Sequence, residues 1–312
     1  MSFDYIWGSA LSHLERLAPD LRIINLETSV TTSEDWLRKG INYRMNPENV
    51  HFLTVAKIDA CALANNHVLD WGYSGLEETL QTLKTVGIKS SGAGKSIADA
   101  ESPAVLEVKG KGRVLFFSFG SESAGVPPDW AATQGKPGVN LLDEQLGSEV
   151  EHVKRIITQF KQQNDIAVAS IHWGSNWGYE VPPEQRLFAH RLIDEAGVDL
   201  IHGHSSHHPK CIEVYKNKLI LYGCGDFLND YEGISGYESF RGDLGLMYFA
   251  CLEPETGTLD SLEMVPTQIK HFQVNNASAV DAMWLSKTLN QESEKLGSVV
   301  ELREHSFWLK WR

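Results

Sequence analysis

Apolar positions recur along this chain in two rhythms. Short unbroken apolar runs mark candidate strands at 22–26, 58–64, 166–171 and 198–201. Two further runs, 105–108 and 114–118, read as a strand pair turning across Gly110 and Gly112. A hairpin is expected from 212–215 and 219–222, joined by Lys216, Asn217 and Lys218, with late strands at 246–252 and 262–267. The other rhythm is helical. Leu11, Leu14 and Leu17 share one face of a predicted helix over 8–18. Pro47 suits the first turn of a segment reaching Ala56, and an amphipathic stretch over 73–86 stops at Gly87. Helices are also expected over 145–162, 183–196 and 278–290, with a long Gly-, Pro- and Ser-rich loop over 119–142.

Strands alternate with helices through the first two-thirds, which predicts an α/β sheet with helices on both faces. The later hairpins predict a mixed sheet, or a second sheet packed on the first. No linker or repeat interrupts the pattern. One domain over 1–312 is expected, with its core in about 20–270 and a C-terminal extension over 271–312.

Composition narrows the partners. Hydrophobic residues make up 42% and charged residues 22% of 312, as a globular core requires. A formal net charge of −13 with no dense basic run argues against nucleic acid and anionic membrane. No run of about 18 apolar residues encodes a membrane span. MSFDYIWGSALSHLERL lacks the basic and apolar regions of a signal peptide, so a cytoplasmic location is expected if Met1 is the true start. Cys61, Cys211, Cys224 and Cys251 form no C-x-x-C pair and are expected to be buried and reduced.

The chemistry gathers where apolar runs end. IINLE ends at Glu27, ALANNH at Asn66 and His67, VASIHWG passes His172, and LIHGHSSH carries His204 and His207. In open α/β sheets, functional groups collect beyond the carboxyl ends of the strands. A carboxylate, an amide oxygen and several imidazoles without thiolate favour Zn, Mn, Fe or a similar divalent ion. Each piece has a plainer reading alone: a loop acid, an Asn turn, a core histidine. Four histidines within His202–His208 are harder to explain that way. SGAGKS over 91–96 imitates the end of a phosphate-binding P-loop, but Lys89 stands where that motif needs its first glycine.

Taken together, NLETSVT, INYRMNP, LANNHVLDWGYSGLEETL, GAGKSIADA, SIHWG and GHSSHHPKCIEVYKNKLILYGCGDFLND resemble the CapA family of poly-γ-glutamate capsule biosynthesis proteins, within the calcineurin-like metallophosphoesterases. The resemblance covers about residues 20–270. It implies a four-layer α/β sandwich: two mixed sheets flanked by helices. It also implies a two-metal centre. Glu27 takes the place of the bridging carboxylate, and Asn66, His172, His204 and His207 match metal ligands. His67 matches the histidine that contacts the reacting group. Arg44 is a candidate anion clamp, with a surface salt bridge as the alternative. Asp70, Asp226 and Asp230 are expected to support ligands or cap loops rather than to bind metal.

One family feature is absent: no strand ending in Gly-Asp precedes Glu27, where the early acids are Asp4, Glu15 and Asp20. The expectation is a member lacking its first strand. One metal site would be complete (Glu27, Asn66, His172, His204) and the other under-ligated (Glu27, His207). The implied activity is hydrolysis of a phosphoester or of an amide such as a γ-glutamyl bond. The substrate would be a small molecule or an anionic polymer, and other capsule-synthesis proteins would be partners. A non-catalytic, polyanion-binding role and a degenerate, inactive member remain open alternatives.

Overall fold

A computed structural model describes residues 2–142, 148–232 and 234–312. It is a mixed α/β structure in which three main sheets are flanked by helices. The first sheet is parallel, in the order β1 (Ile23–Asn25), β2 (Ala60–Ala62), β3 (Lys89–Ser91). The middle sheet contains β4 (Ala104–Val108), β5 (Gly112–Gly120), β6 (Ile166–His172), β7 (Leu200–His204), β8 (Ile212–Tyr215) and β9 (Lys218–Leu221). Its spatial order is β8-β9-β7-β6-β5-β4, parallel through the centre and antiparallel at both edges. The third sheet is antiparallel. It places β10 (Leu244–Leu252), β11 (Leu259–Ile269), β14 (Ser306–Trp311) and β13 (Ser298–Arg303) side by side, with β12 (Val274–Asn276) also on β11.

The helices follow the apolar stripes. α1 (Ala10–Leu17) buries Ala10 and Leu14, and α2 (Gly72–Thr85) buries Leu76, Thr79 and Leu83. α2 stops because Gly87 adopts φ +77°, which lets its N–H reach the Lys84 carbonyl and the Ile88 N–H reach that of Leu83. α3 (Ser148–Phe160) covers the middle sheet with Val153, Ile156 and Ile157, beside α4 (Pro183–Asp194) with Ala189 and Leu192. The helix expected over 145–162 begins in part outside the described residues, at 143–147. α5 (Ala279–Ser293) is capped by Ser278, whose hydroxyl accepts the Asp281 N–H.

Every residue of β6 is buried, because α3 and α4 cover one face and the third sheet the other. A parallel strand buried on both sides reads as a continuous apolar run, which is why IAVASI was legible. The C-terminal hairpin β13–β14 is an element the expected strands did not include. Its outward Glu301, Arg303 and Lys310 break the apolar pattern, while Phe307 and Leu309 sit in the core shared by the middle and third sheets. Burial of each such side chain contributes about 1.5–3 kcal/mol. The segment over 119–142 is more ordered than a long loop. β5 continues to Gly120, two 3-10 turns follow, and Gly138–Val139 pairs with Ala93–Gly94 while Val126, Trp130 and Val139 are buried. Of the four cysteines, Cys61 and Cys211 are buried, Cys224 is half-buried and Cys251 is exposed near the far end of β10. No helix among the described residues is long and apolar enough to cross a membrane.

Candidate metal centre

Sheet register alone brings the first three site histidines together. His172 on β6 stands opposite His204 on β7, and Ser170 stands opposite His202. Side chains two residues apart share a face, so four polar groups meet at the ends of two apolar strands. The Ser170 hydroxyl lies 2.9 Å from His202 Nδ1 and 2.9 Å from His204 Nε2. His172 Nδ1 and His204 Nδ1 are 2.8 Å apart, and His172 Nε2 is 3.9 Å from Glu27 Oε1. Burial drives the pKa of His172 down to about 3 and of His202 to about 4, and takes His204 well below the ordinary value. These three imidazoles are neutral at physiological pH.

Glu27 follows β1, where Asn25 donates to its Oε2 at 2.9 Å. Surrounding protein, and then the Asp226 charge, raise its pKa to about 8, although 29% of the side-chain surface stays open. Asn65, Asn66 and His67 form the turn after β2. Asn65 is fully buried and holds that turn to β1 by donating to the Leu26 carbonyl at 2.9 Å and to Asn25 Oδ1 at 3.0 Å. Asn66 Oδ1 is buried without a hydrogen-bond partner.

His67 and His207 each lean on a carboxylate. His67 Nδ1 is 2.7 Å from Asp70 Oδ2, and the Tyr43 ring lies 4.3 Å from the imidazole centroid. Burial lowers the His67 pKa despite Asp70. His207 Nδ1 lies 3.1 Å from both oxygens of Asp226, which also accepts from Tyr231 Oη at 2.9 Å and Asn229 Nδ2 at 3.1 Å. Burial works against the charged form of His207, but the Asp226 hydrogen bond, its charge and Glu27 outweigh burial and raise the pKa.

Arg44 does not join these groups. Its guanidinium is held by Glu34 at 2.9 Å and the Ser33 carbonyl at 2.9 Å, and stacks 4.0 Å over the Trp71 ring. The structure shows the surface salt bridge, with Glu34 and the Trp71 ring beside the charge. Asp70 and Asp226 support histidines, and Asp230 is exposed. Lys39 has no motif around it in the sequence, yet it reaches Asp70 Oδ1 at 2.7 Å. Ser170, Tyr43 and Tyr231 were likewise invisible until strand register and loop packing placed them.

The donor set suits a divalent cation: neutral buried imidazoles, an orphaned amide oxygen and a carboxyl forced to keep its proton. Each gains from a positive ion beside it. The side chains are not drawn together as ligands here, since His172 and His204 spend Nδ1 on each other. Among the described residues, no group of three or more His, Cys, Asp or Glu side chains is arranged to hold a metal ion.

The arrangement of mixed sheets flanked by helices is a metallophosphoesterase-like fold. A family model described as "Bacterial capsule synthesis protein PGA_cap" matches residues 1–231, and the chain belongs to that family. A "probable polyglutamine synthesis accessory protein" of Mycobacterium tuberculosis is 46% identical over 299 residues, covering 95% of this chain and 78% of the relative. The "PGA biosynthesis protein CapA" of Bacillus subtilis is 30% identical over 253 residues, covering 79% of this chain and 63% of that protein. The "capsule biosynthesis protein CapA" of Bacillus anthracis is 27% identical, covering 82% and 59% respectively.

Proposed function

We propose that this protein is a metal-dependent hydrolase of a phosphoester or γ-glutamyl amide bond, acting in the biosynthesis of a poly-γ-glutamate capsule. The names of the Bacillus relatives support the capsule context, and that of the Mycobacterium relative an accessory role in polyglutamine synthesis. The observation that carries the chemistry is neutral His172 and His204 in contact, with proton-holding Glu27 3.9 Å from His172, beside a separate His67–Asp70 pair whose turn carries the orphaned Asn66 Oδ1.

Glu27, Asn66, His172 and His204 would hold a Mn, Zn, Fe or similar ion, with Glu27 and His207 offering a poorer second place. A divalent ion supplies charge that polarises the scissile group and activates water near neutral pH. His67 is kept out of that set by Asp70, which occupies Nδ1 and fixes the ring. Its Nε2 is then the atom available to pass a proton to the leaving group. Tyr43 against the ring limits rotation and excludes water from that side.

The test is turnover by the purified chain loaded with Mn²⁺, Zn²⁺ or Fe²⁺, on bis-p-nitrophenyl phosphate, p-nitrophenyl phosphate and γ-glutamyl-p-nitroanilide. Metal-dependent turnover that His67→Ala abolishes is expected. Absence of turnover on all three, together with retention of soluble poly-γ-glutamate by immobilised protein, would establish the polyanion-binding role instead.

A further inference from the structure

We propose that Lys39 is a positioning residue for the His67–Asp70 pair, delivered to it by a strap of chain over residues 36–43. The kinetic part of this inference rests on the hydrolase reading; the geometric part does not.

Asp70 is the post to which the strap is tied. Its carboxylate is fully buried and accepts from His67 Nδ1, Lys39 Nζ and the Tyr43 N–H, each at 2.7 Å. Its carbonyl accepts from the Leu37 N–H at 2.9 Å and Asn42 Nδ2 at 2.8 Å. Lys39 Nζ also donates to the Asn66 carbonyl, stands 3.4 Å from His67 Nδ1 and lies 5.2 Å from the Trp130 ring centroid. A lysine on a surface loop ordinarily points its ammonium at water. This one turns inward, leaving 25% of its side chain exposed.

Apolar packing does not explain the strap's position. Trp36 is 54% exposed, Leu37 37% and Ile41 60%. Polar bonds hold it, most of them to one aspartate, with the Trp71 indole N–H donating to the Tyr43 carbonyl at 2.9 Å and Lys39 to that of Asn66. That aspartate would otherwise bury a carboxylate against a single imidazole, an arrangement that is costly without a balancing charge. Lys39 supplies the charge and occupies Oδ1. Oδ2 is left to accept from His67 Nδ1–H, so Nε2 faces the crevice. Removing the ammonium frees Oδ1, loosens the strap and lets the ring turn. Lys39 thus acts through His67.

The experiment compares full-length wild type with Lys39→Met and Lys39→Arg, using Lys39→Gln should the Met variant not fold. Long-range ¹⁵N NMR of metal-free protein, with His67 assigned by its loss in His67→Gln, reads the imidazole directly. Wild type and Lys39→Arg should show one fixed Nδ1–H tautomer, and Lys39→Met an averaged pair. With Mn²⁺ and bis-p-nitrophenyl phosphate, Lys39→Met should lower kcat roughly 10- to 100-fold, the scale seen when an outer partner that orients a functional histidine is lost. KM should stay within about twofold, and Lys39→Arg should restore most of kcat. An unchanged tautomer in Lys39→Met would overturn the proposal, as would a rise in KM alone, which would make Lys39 a substrate-binding cation. If wild type turns nothing over, the hydrolase reading falls and the NMR result alone decides Lys39.

Discussion

The candidate centre has two halves of different construction. His172, His202 and His204 stand on neighbouring parallel strands, His172 and His204 buried and His202 half-buried, linked to each other and to Ser170. His67 and His207 stand on turns, His67 buried and His207 half-buried, and each is bound to an aspartate. The strand half is stiff and uncharged, because the ladder dictates which groups face each other. The loop half is charged and adjustable, because side-chain bonds to Asp70 and Asp226 hold it. Metal binding asks for neutral donors in a fixed place; proton transfer asks for a ring whose charge can change. The division suggests which half serves which task.

The largest effect should come from the loop half. His67→Ala is expected to reduce kcat by roughly 10²- to 10⁴-fold while leaving bound metal unchanged by elemental analysis. Equal loss of metal would merge the halves. Next comes metal stoichiometry. Calorimetric titration should find one tight ion per chain and a second that is weak or absent, and His172→Ala should remove the tight one. Two tight ions in wild type would mean that the loop half supplies more ligands than Glu27 and His207.

Metal-free stability should also be pulled in opposite directions with pH by the buried histidines, His67 among them, and by Glu27 with His207. His172 and His202 have folded pKa values of about 3 and 4, below the ordinary 6.5. The unfolded chain binds more protons through that window, so their contribution is present above 6.5 and lost as pH falls. Glu27 is the reverse: its folded pKa of about 8 exceeds 4.5, so stability declines as pH rises through that interval. His207, raised above its ordinary value, adds to the decline above 6.5. Metal-free protein should therefore be most stable near pH 6.5 by thermal melting. Glu27→Gln should abolish much of the fall from 6.5 to 8, an effect on the order of a few kcal/mol. A melt that keeps rising through pH 8 would contradict this. The smallest effect is expected at Arg44, whose replacement by Ala should cost about 1 kcal/mol or less and leave kcat/KM within about twofold.

Much of this was readable before folding. The apolar runs at β6 and β7, the hairpin β8–β9 and the stop of α2 at Gly87 are local signals, and each appears within a few residues of its expected place. The hairpin β13–β14 was not readable. Its charged outer face hides the inward Phe307, whose burial depends on pairing with Met264, 43 residues earlier in the chain.

The same distinction governs the site. The sequence alone determined which residue types close the apolar runs, because a run and the polar groups that end it are neighbours along the chain. Glu27, Asn66, His67, His172, His204 and His207 follow from that. Only the tertiary structure decided which of them share a contact and which partners orient them. Strand register set His172 against His204. Lys39 reached Asp70 across 31 residues of chain, Asp226 came to His207 from 19 residues away, and Arg44 was drawn off by Glu34 and Trp71. A charge finds its partner through space, and no local pattern in the chain records that distance.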